Sequence, residues 1–269
     1  MQTVLTIAGF DPSSGAGVTA DLMVFAAHGL FGTSCITSLT VQSTAGVLGS
    51  MAVSPEIVAA TLDCLVRDLP PEGIKIGMLA TAATVDVVAE FLNMLREEGR
   101  RMPVVLDPVL RSSSGRELLD ADGLAVLRRR LLPLVDWVTP NLGELGVLTG
   151  RSVTQRRDMA DAALTLQAMG EGLKVVVTGG HMDPPDDLLL TTEEEVVWLQ
   201  GERILSESTH GTGCAFSSAL LSRVVLGDTV KDAAMMAKRY VAEAIRTATP
   251  MGKGHGPVNH LWPLEDEEL

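Results

Sequence analysis

With 269 residues, 46% of them hydrophobic, and a formal charge of −13, the chain can bury a sizeable core in one large α/β domain or two small ones. The acidic balance excludes nucleic acid and anionic membrane as main partners, and it obliges any anionic ligand to find local positive field at helix ends, a metal or a few cations. No apolar run reaches membrane-spanning length, Met1-Gln2-Thr3 leads straight into a strand-like run, and Cys35, Cys64 and Cys214 lack C-x-x-C spacing; the expectation is a soluble cytoplasmic protein without signal peptide, disulfide framework or zinc site.

Val4 to Ala8 reads as a first buried strand ended by Gly9, followed by the Pro-, Ser- and Gly-rich loop Phe10 to Gly17. Helical spacing runs from Val18 to His28, Ser34 to Val41 predicts a second strand, and Gly46 to Val53 a third. Pro55 opens a helix to Arg67 with Glu56 in its first turn, Gly73 to Gly77 is a strand, and Thr81 to Arg96 a helix. Pro103 to Asp107 is the most strand-like run of the middle, with the loop Pro108 to Arg116 behind it. A helix ending at Leu131, a strand over Val135 to Val138, helices over Asn141 to Thr149 and Thr154 to Met169, and a strand over Lys174 to Thr178 follow. Two β-rich pieces within Leu188 to Leu199 predict a hairpin or meander near a sheet edge. A helix after Gly211, another over Thr229 to Ala248 and a Gly-Pro tail ending in Glu265 to Glu268 complete the chain. The alternation implies one mainly parallel sheet covered by helices on both faces, with ligands at the carboxyl ends of the strands.

The organising stretch is Ser206 to Leu221, where Gly211-Thr212-Gly213 stands directly before a buried helix. Glycines leave backbone amides bare, and the free N–H groups of a helix start suit an oxyanion such as a phosphoryl group in transfer. Cys214 in the first turn is expected to have its thiol pKa lowered toward thiolate; the plainer reading is a glycine turn with Cys214 as a small core residue. Asp107 at a strand end is either a metal ligand or a turn-initiating Asp before proline. Asn141 and Glu144 have N-cap and N3 spacing, which favours a capping box, with water-mediated Mg²⁺ binding as the functional alternative. Gly179-Gly180 either admits a nucleotide to the backbone or makes a turn. Asp21 lies on an otherwise apolar helix, where a carboxylate is costly to bury unless paired or used in binding, exposure to solvent being the alternative. Gln42 offers both donor and acceptor, which suits an aminopyrimidine edge, although exposure to solvent is the commoner fate. Gly15-Ala-Gly17-Val-Thr-Ala20 satisfies a dinucleotide fingerprint, but its six-residue lead-in from Gly9 and the absence of an acidic residue after Val41 speak against NAD.

Set side by side, Ile7 to Gly17, Ala20-Asp21, Thr40 to Gln42, Lys75 to Met78, Leu106 to Val109, Thr139 to Asn141 with Glu144, Gly179 to His181, His210 to Cys214 and Gly252 to Pro257 resemble, in order, the hydroxymethylpyrimidine/phosphomethylpyrimidine kinases of the ribokinase-like superfamily. The resemblance implies one ribokinase-like kinase domain over 1–269, a homodimer, using ATP and Mg²⁺. It would phosphorylate 4-amino-5-hydroxymethyl-2-methylpyrimidine and then its monophosphate. Carried over by motif, Cys214 is the candidate base, and Gly211, Thr212 and Gly213 supply amides around the phosphoryl group. Gln42, with Gly9, Asp21 and Met78, would form the pyrimidine pocket. Asn141, Glu144, Thr178 and Gly180 would surround the ATP phosphates, and Asp107 and Glu144 the Mg²⁺. Thr178 and Ser113 stand where the family often has lysines, leaving Arg111, Lys75 and Lys253 as candidate replacements; Gly254 to Gly256 would either close over the adenine or form a turn. Pyridoxal kinase is the nearest rival function, and a non-catalytic pyrimidine-sensing protein of the same fold the rival class.

Overall fold

The computed structural model describes residues 1–112, 115–180 and 182–265, so Ser113, His181 and the acidic end Asp266 to Glu268 lie outside the described residues. Among the described residues nine strands form one sheet in the order β3-β2-β1-β4-β5-β6-β7-β8-β9. β1 (Thr3–Phe10), β2 (Phe31–Ser43), β4 (Gly73–Ile76), β5 (Val104–Leu106), β6 (Trp137–Val138) and β7 (Lys174–Val177) pair in parallel. β3 (Gly46–Ala52) adds antiparallel to one edge, and β8 (Asp187–Leu190) and β9 (Val196–Leu199) to the other. The expected parallel centre and edge hairpin are therefore present. The centre is legible because β1 and β4 are buried on both faces and read as mainly apolar runs, Thr6 and Lys75 excepted.

Helices α1 (Gly17–Ala27), α7 (Thr212–Val225) and α8 (Val230–Arg246) pack on one face around Val4, Phe25, Val105, Phe216 and Tyr240. On the opposite face α2 (Pro55–Asp68), α3 (Ala82–Glu97), α4 (Ala121–Val126), α5 (Leu142–Thr149) and α6 (Arg156–Gln167) enclose Leu5, Ile7, Ile76 and Leu106. Local chemistry explains the helix starts: Ser54 caps α2 ahead of Pro55, Thr81 caps α3, and Asn141 with Glu144 closes the predicted capping box of α5. The helix expected to end at Leu131 does so by a different geometry, since α4 runs into a π-helical turn over Leu127–Leu131.

Candidate active site

A cavity of about 1980 Å³ lies across the carboxyl ends of the parallel strands. Gly9, Gln42 and Met78 line it on the β2 side, Asp107, Asn141 and Glu144 at its centre, and Thr178 and Gly180 on the β7 side. The turn Gly211 to Gly213 and Cys214 face the same space. Gly211 is the N-cap of α7 with φ +88°, and a Cβ there would collide with the Gly15 carbonyl oxygen. Only glycine meets both demands, so the bare amides of this helix start are built in by backbone packing. Of Gly179 and Gly180, only the first is required by packing, because its Cβ would strike the Asp186 carbonyl while Gly180 has free space.

Cys214, Ser217 and Ser218 share one face of α7 by their i, i+3, i+4 spacing. Ser217 Oγ donates to Asp107 Oδ2 at 3.2 Å, and Ser218 Oγ to Asp21 Oδ1 at 2.8 Å. Here the first correction arises. Asp21 does not line the cavity; it is fully buried beneath it, where Lys75 Nζ donates to its two oxygens at 3.0 and 2.9 Å and Thr6 Oγ1 adds a bond of 2.6 Å. The carboxylate on the apolar helix is paired rather than used on the ligand, and Lys75 is fully buried with it, just behind the cavity wall. Burial works against the charge on Lys75, but the combined pull of Asp21, Cys214 and Asp107 holds its pKa above the ordinary lysine value.

The second correction concerns the thiol. Burial pushes Cys214 up to about 12, with Asp21 and Asp107 adding to the rise, and neither Lys75 nor the Gly17 N–H reverses it. The field of a helix start is smaller than the cost of placing a thiolate between two buried carboxylates, so Cys214 is a protonated thiol near neutrality. Asp107 is likewise raised, by burial first and by Asp21, against Lys75 and Ser217. Glu144 is raised to about 8 by burial and by the charge of Asp107, although its bond from the Asn141 N–H at 3.0 Å opposes this. Glu144 therefore serves the cap and faces the cavity at once.

Asp107 and Glu144, the first of which raises the pKa of the second, form a hard-oxygen donor set whose repulsion a divalent cation relieves. Among the described residues no three His, Cys, Asp or Glu side chains cluster as a full metal cage.

Several long-range pairs were not readable from spacing. Asp11 Oδ2 meets His210 Nε2 at 2.7 Å, tying the loop after β1 to the turn before α7, and Gln42 Nε2 lies 3.1 Å from the same imidazole nitrogen. Lys238 on α8 pairs with Asp187 at 2.8 Å, and Asp187 accepts the Gly179 N–H at 2.8 Å. Arg111, Arg203, Lys238 and Arg239 line the cavity, whereas Lys75 is buried behind it on Asp21 and Lys253 is not among the lining residues. The Gly252 to Gly254 turn packs on Thr44 between β2 and β3, with the Lys253 N–H 3.3 Å from Thr44 Oγ1; it thus belongs to the Gln42 side of the cavity. The sequence signals for the missed pairs were present only as an Asp before proline and a His before a glycine turn.

Comparison with known proteins follows this geometry. The phosphomethylpyrimidine kinase family profile matches residues 11–259. The thiamine biosynthesis bifunctional protein ThiED of Geobacter sulfurreducens is 42% identical over 98% of this chain, which spans 53% of that longer protein. A hydroxymethylpyrimidine/phosphomethylpyrimidine kinase of Streptomyces coelicolor is 40% identical over 97% of this chain and 95% of its own length. Among solved structures, the pyridoxal kinase of Staphylococcus aureus in complex with ADP superposes with a TM-score of 0.88 at 28% identity, covering 99% of this chain and 96% of that one.

Proposed function

The chain belongs to the phosphomethylpyrimidine kinase family, with the ribokinase-like α/β fold, and on that footing we propose that it transfers the γ-phosphoryl group of ATP to 4-amino-5-hydroxymethyl-2-methylpyrimidine and then to the resulting monophosphate, in thiamine biosynthesis. The observation that carries this reading is the convergence of the Gly211 to Gly213 amides, Cys214, Asp107 and Glu144 on one cavity with Gln42 and Met78 at its far wall. Phosphoryl transfer asks for positioning and charge neutralisation more than covalent chemistry. In this reading the glycine-turn amides cradle the transferred group, and Gln42, Gly9 and Met78 hold the pyrimidine. Asn141, Thr178 and Gly180 border the nucleotide phosphates, with Arg111, Arg203 and Lys238 as nearby cations in place of the lysines absent at Thr178 and Ser113. Mg²⁺, held by Asp107 and Glu144, would supply charge neutralisation at the phosphates. Cys214 acts as an S–H that orients the acceptor oxygen and is not its base, since a thiol pushed up to about 12 keeps its own hydrogen; the acceptor's proton leaves late, to a phosphoryl oxygen or to water.

The proposal extends to a single kinase domain over 1–269 and a cytoplasmic homodimer; no helix among the described residues is long and apolar enough to cross a membrane. Leu39, Val41, Leu48 and Met51 expose apolar side chains along the β2–β3 hairpin, which gives a second copy a surface to cover. Light scattering at twice the monomer mass checks this.

The functional test is ATP consumption by purified protein with Mg²⁺, offering hydroxymethylpyrimidine, its monophosphate and pyridoxal in parallel. Turnover with the first two well above pyridoxal is expected. Turnover with pyridoxal alone moves the assignment to the second reading, pyridoxal kinase, which the superposition on the Staphylococcus aureus enzyme favours. Pyrimidine binding without turnover of any substrate would support a sensor.

A further inference from the structure

Thr40, Gln42, His210 and Asp11 form a chain of polar groups along one wall of the cavity, and only one orientation of the Gln42 amide spares it a donor–donor contact. Asp11 is buried; its Oδ1 accepts the Ser13 N–H at 2.9 Å and the Ser13 hydroxyl at 2.7 Å, and its Oδ2 accepts the Ala16 N–H at 3.0 Å beside the His210 contact. Burial raises the Asp11 pKa, yet the hydrogen bonds from His210 and Ser13 outweigh it and hold the group below its ordinary value. An ionised carboxylate only accepts, so His210 Nε2, 2.7 Å from Oδ2, carries a hydrogen whatever the charge of the ring. An amide NH₂ of Gln42 aimed at that nitrogen would set donor against donor at 3.1 Å. The other end of the amide has the complementary conflict. Thr40 Oγ1 lies 2.9 Å from the Phe10 carbonyl and 3.2 Å from Gln42 Oε1, two acceptors for one hydroxyl hydrogen.

A half-turn of the amide, which leaves its shape unchanged, replaces the donor–donor clash by a shared hydrogen at His210 and removes the conflict at Thr40. Oε1 then takes the weaker share of the single His210 Nε2–H, whose nearer acceptor is Asp11 Oδ2, while the NH₂ donates to Thr40 Oγ1 and the Thr40 hydrogen goes to Phe10. One amide N–H is left over on the cavity wall. The imidazole cannot swing away to relax the arrangement toward the loop after β1, because Gly15 packs so closely beneath it that a Cβ would run into the ring.

We propose that His210, locked by Asp11 as an Nε2–H donor, sets the orientation of the Gln42 amide, so that Gln42 offers a hydrogen-bond donor and selects a heteroaromatic ligand with an unprotonated ring nitrogen at that edge. Asp11 and His210 are positioning residues in this scheme, and Gln42 is the group that touches the ligand. The inference rests on the reading of Gln42 as a ligand contact but needs only binding, not turnover.

The tautomer is read directly from long-range ¹⁵N–¹H spectra of the full-length labelled protein. His210 is expected to carry a hydrogen on Nε2; an Nδ1–H tautomer in the wild type overturns the proposal. Selectivity is read by calorimetry with hydroxymethylpyrimidine and its two monodeaza analogues, each lacking one ring nitrogen. One analogue is expected to bind the wild type about tenfold more weakly, the cost of leaving a buried donor unpaired, and that preference is expected to fall below about threefold in His210→Phe. Equal preference in wild type and His210→Phe overturns the role of His210. Failure of the wild type to bind any of the three overturns the ligand reading of Gln42, and the inference with it.

Discussion

The cavity is flanked by two Asp–Lys pairs that differ in their contact with water. Asp21 and Lys75 are both 0% exposed, whereas Lys238 keeps 16% and Asp187 7% of its side-chain surface. Around Asp21 the oxygens receive Lys75, Thr6 and Ser218, so the buried charge is fully surrounded by donors. Around Asp187 the donors are Lys238 and a single backbone N–H, and burial still raises its pKa against them. The same two residue types thus serve different ends. The inner pair fixes charge beneath the thiol and Asp107, and the outer pair keeps a cation at the cavity edge, where it can exchange a carboxylate for an anionic ligand.

The sharpest way to break this contrast is Lys75→Met. It strands a carboxylate in the core, at a cost of about 3–5 kcal/mol, which for a chain of this size lowers Tm by roughly 10 °C. The double variant Asp21→Asn with Lys75→Met removes the stranded charge and is expected to recover more than half of that loss; calorimetric scans of wild type, single and double variants check both. By contrast Lys238→Met leaves Asp187 with its Gly179 bond and some water, so its Tm is expected to fall by no more than about 3 °C, while the KM for ATP rises more than kcat falls.

Smaller effects report on the groups the inner pair influences. Because the folded pKa of Glu144, about 8, lies above the ordinary 4.5, the stability it contributes is fully present below the ordinary value and lost as pH rises through 8. Without divalent cations, Tm between pH 5 and 8.5 is therefore expected to fall about 5 °C further in wild type than in Glu144→Gln, which keeps the cap. A flat difference between the two profiles would remove the raised carboxyl from this account. Finally, iodoacetamide should label exposed Cys64 well before Cys214 at pH 7 to 8, with Cys214 labelling still rising above pH 9. A plateau in Cys214 labelling by pH 8 would mean a thiolate after all.

Much of this molecule is written in short spans of chain. The two-sided burial of β1 and β4 follows from apolar runs, and the Asn141–Glu144 cap from a three-residue spacing. The Gly211 turn likewise follows from two glycines before a helix, because strands, caps and turns are decided by neighbours in sequence. What sequence could not decide were the quantities set by burial and by partners far along the chain. Asp21 looked equally suited to a ligand or to a partner until the fold placed Lys75, 54 residues away, against it. Cys214 read as an activated thiol or as a small core residue until burial and the charges of Asp21 and Asp107 pushed its pKa up, and Asp11 found His210 across 199 residues. Local pattern determines backbone geometry, but the dielectric around a charge and the identity of its counter-charge exist only once the chain has closed on itself.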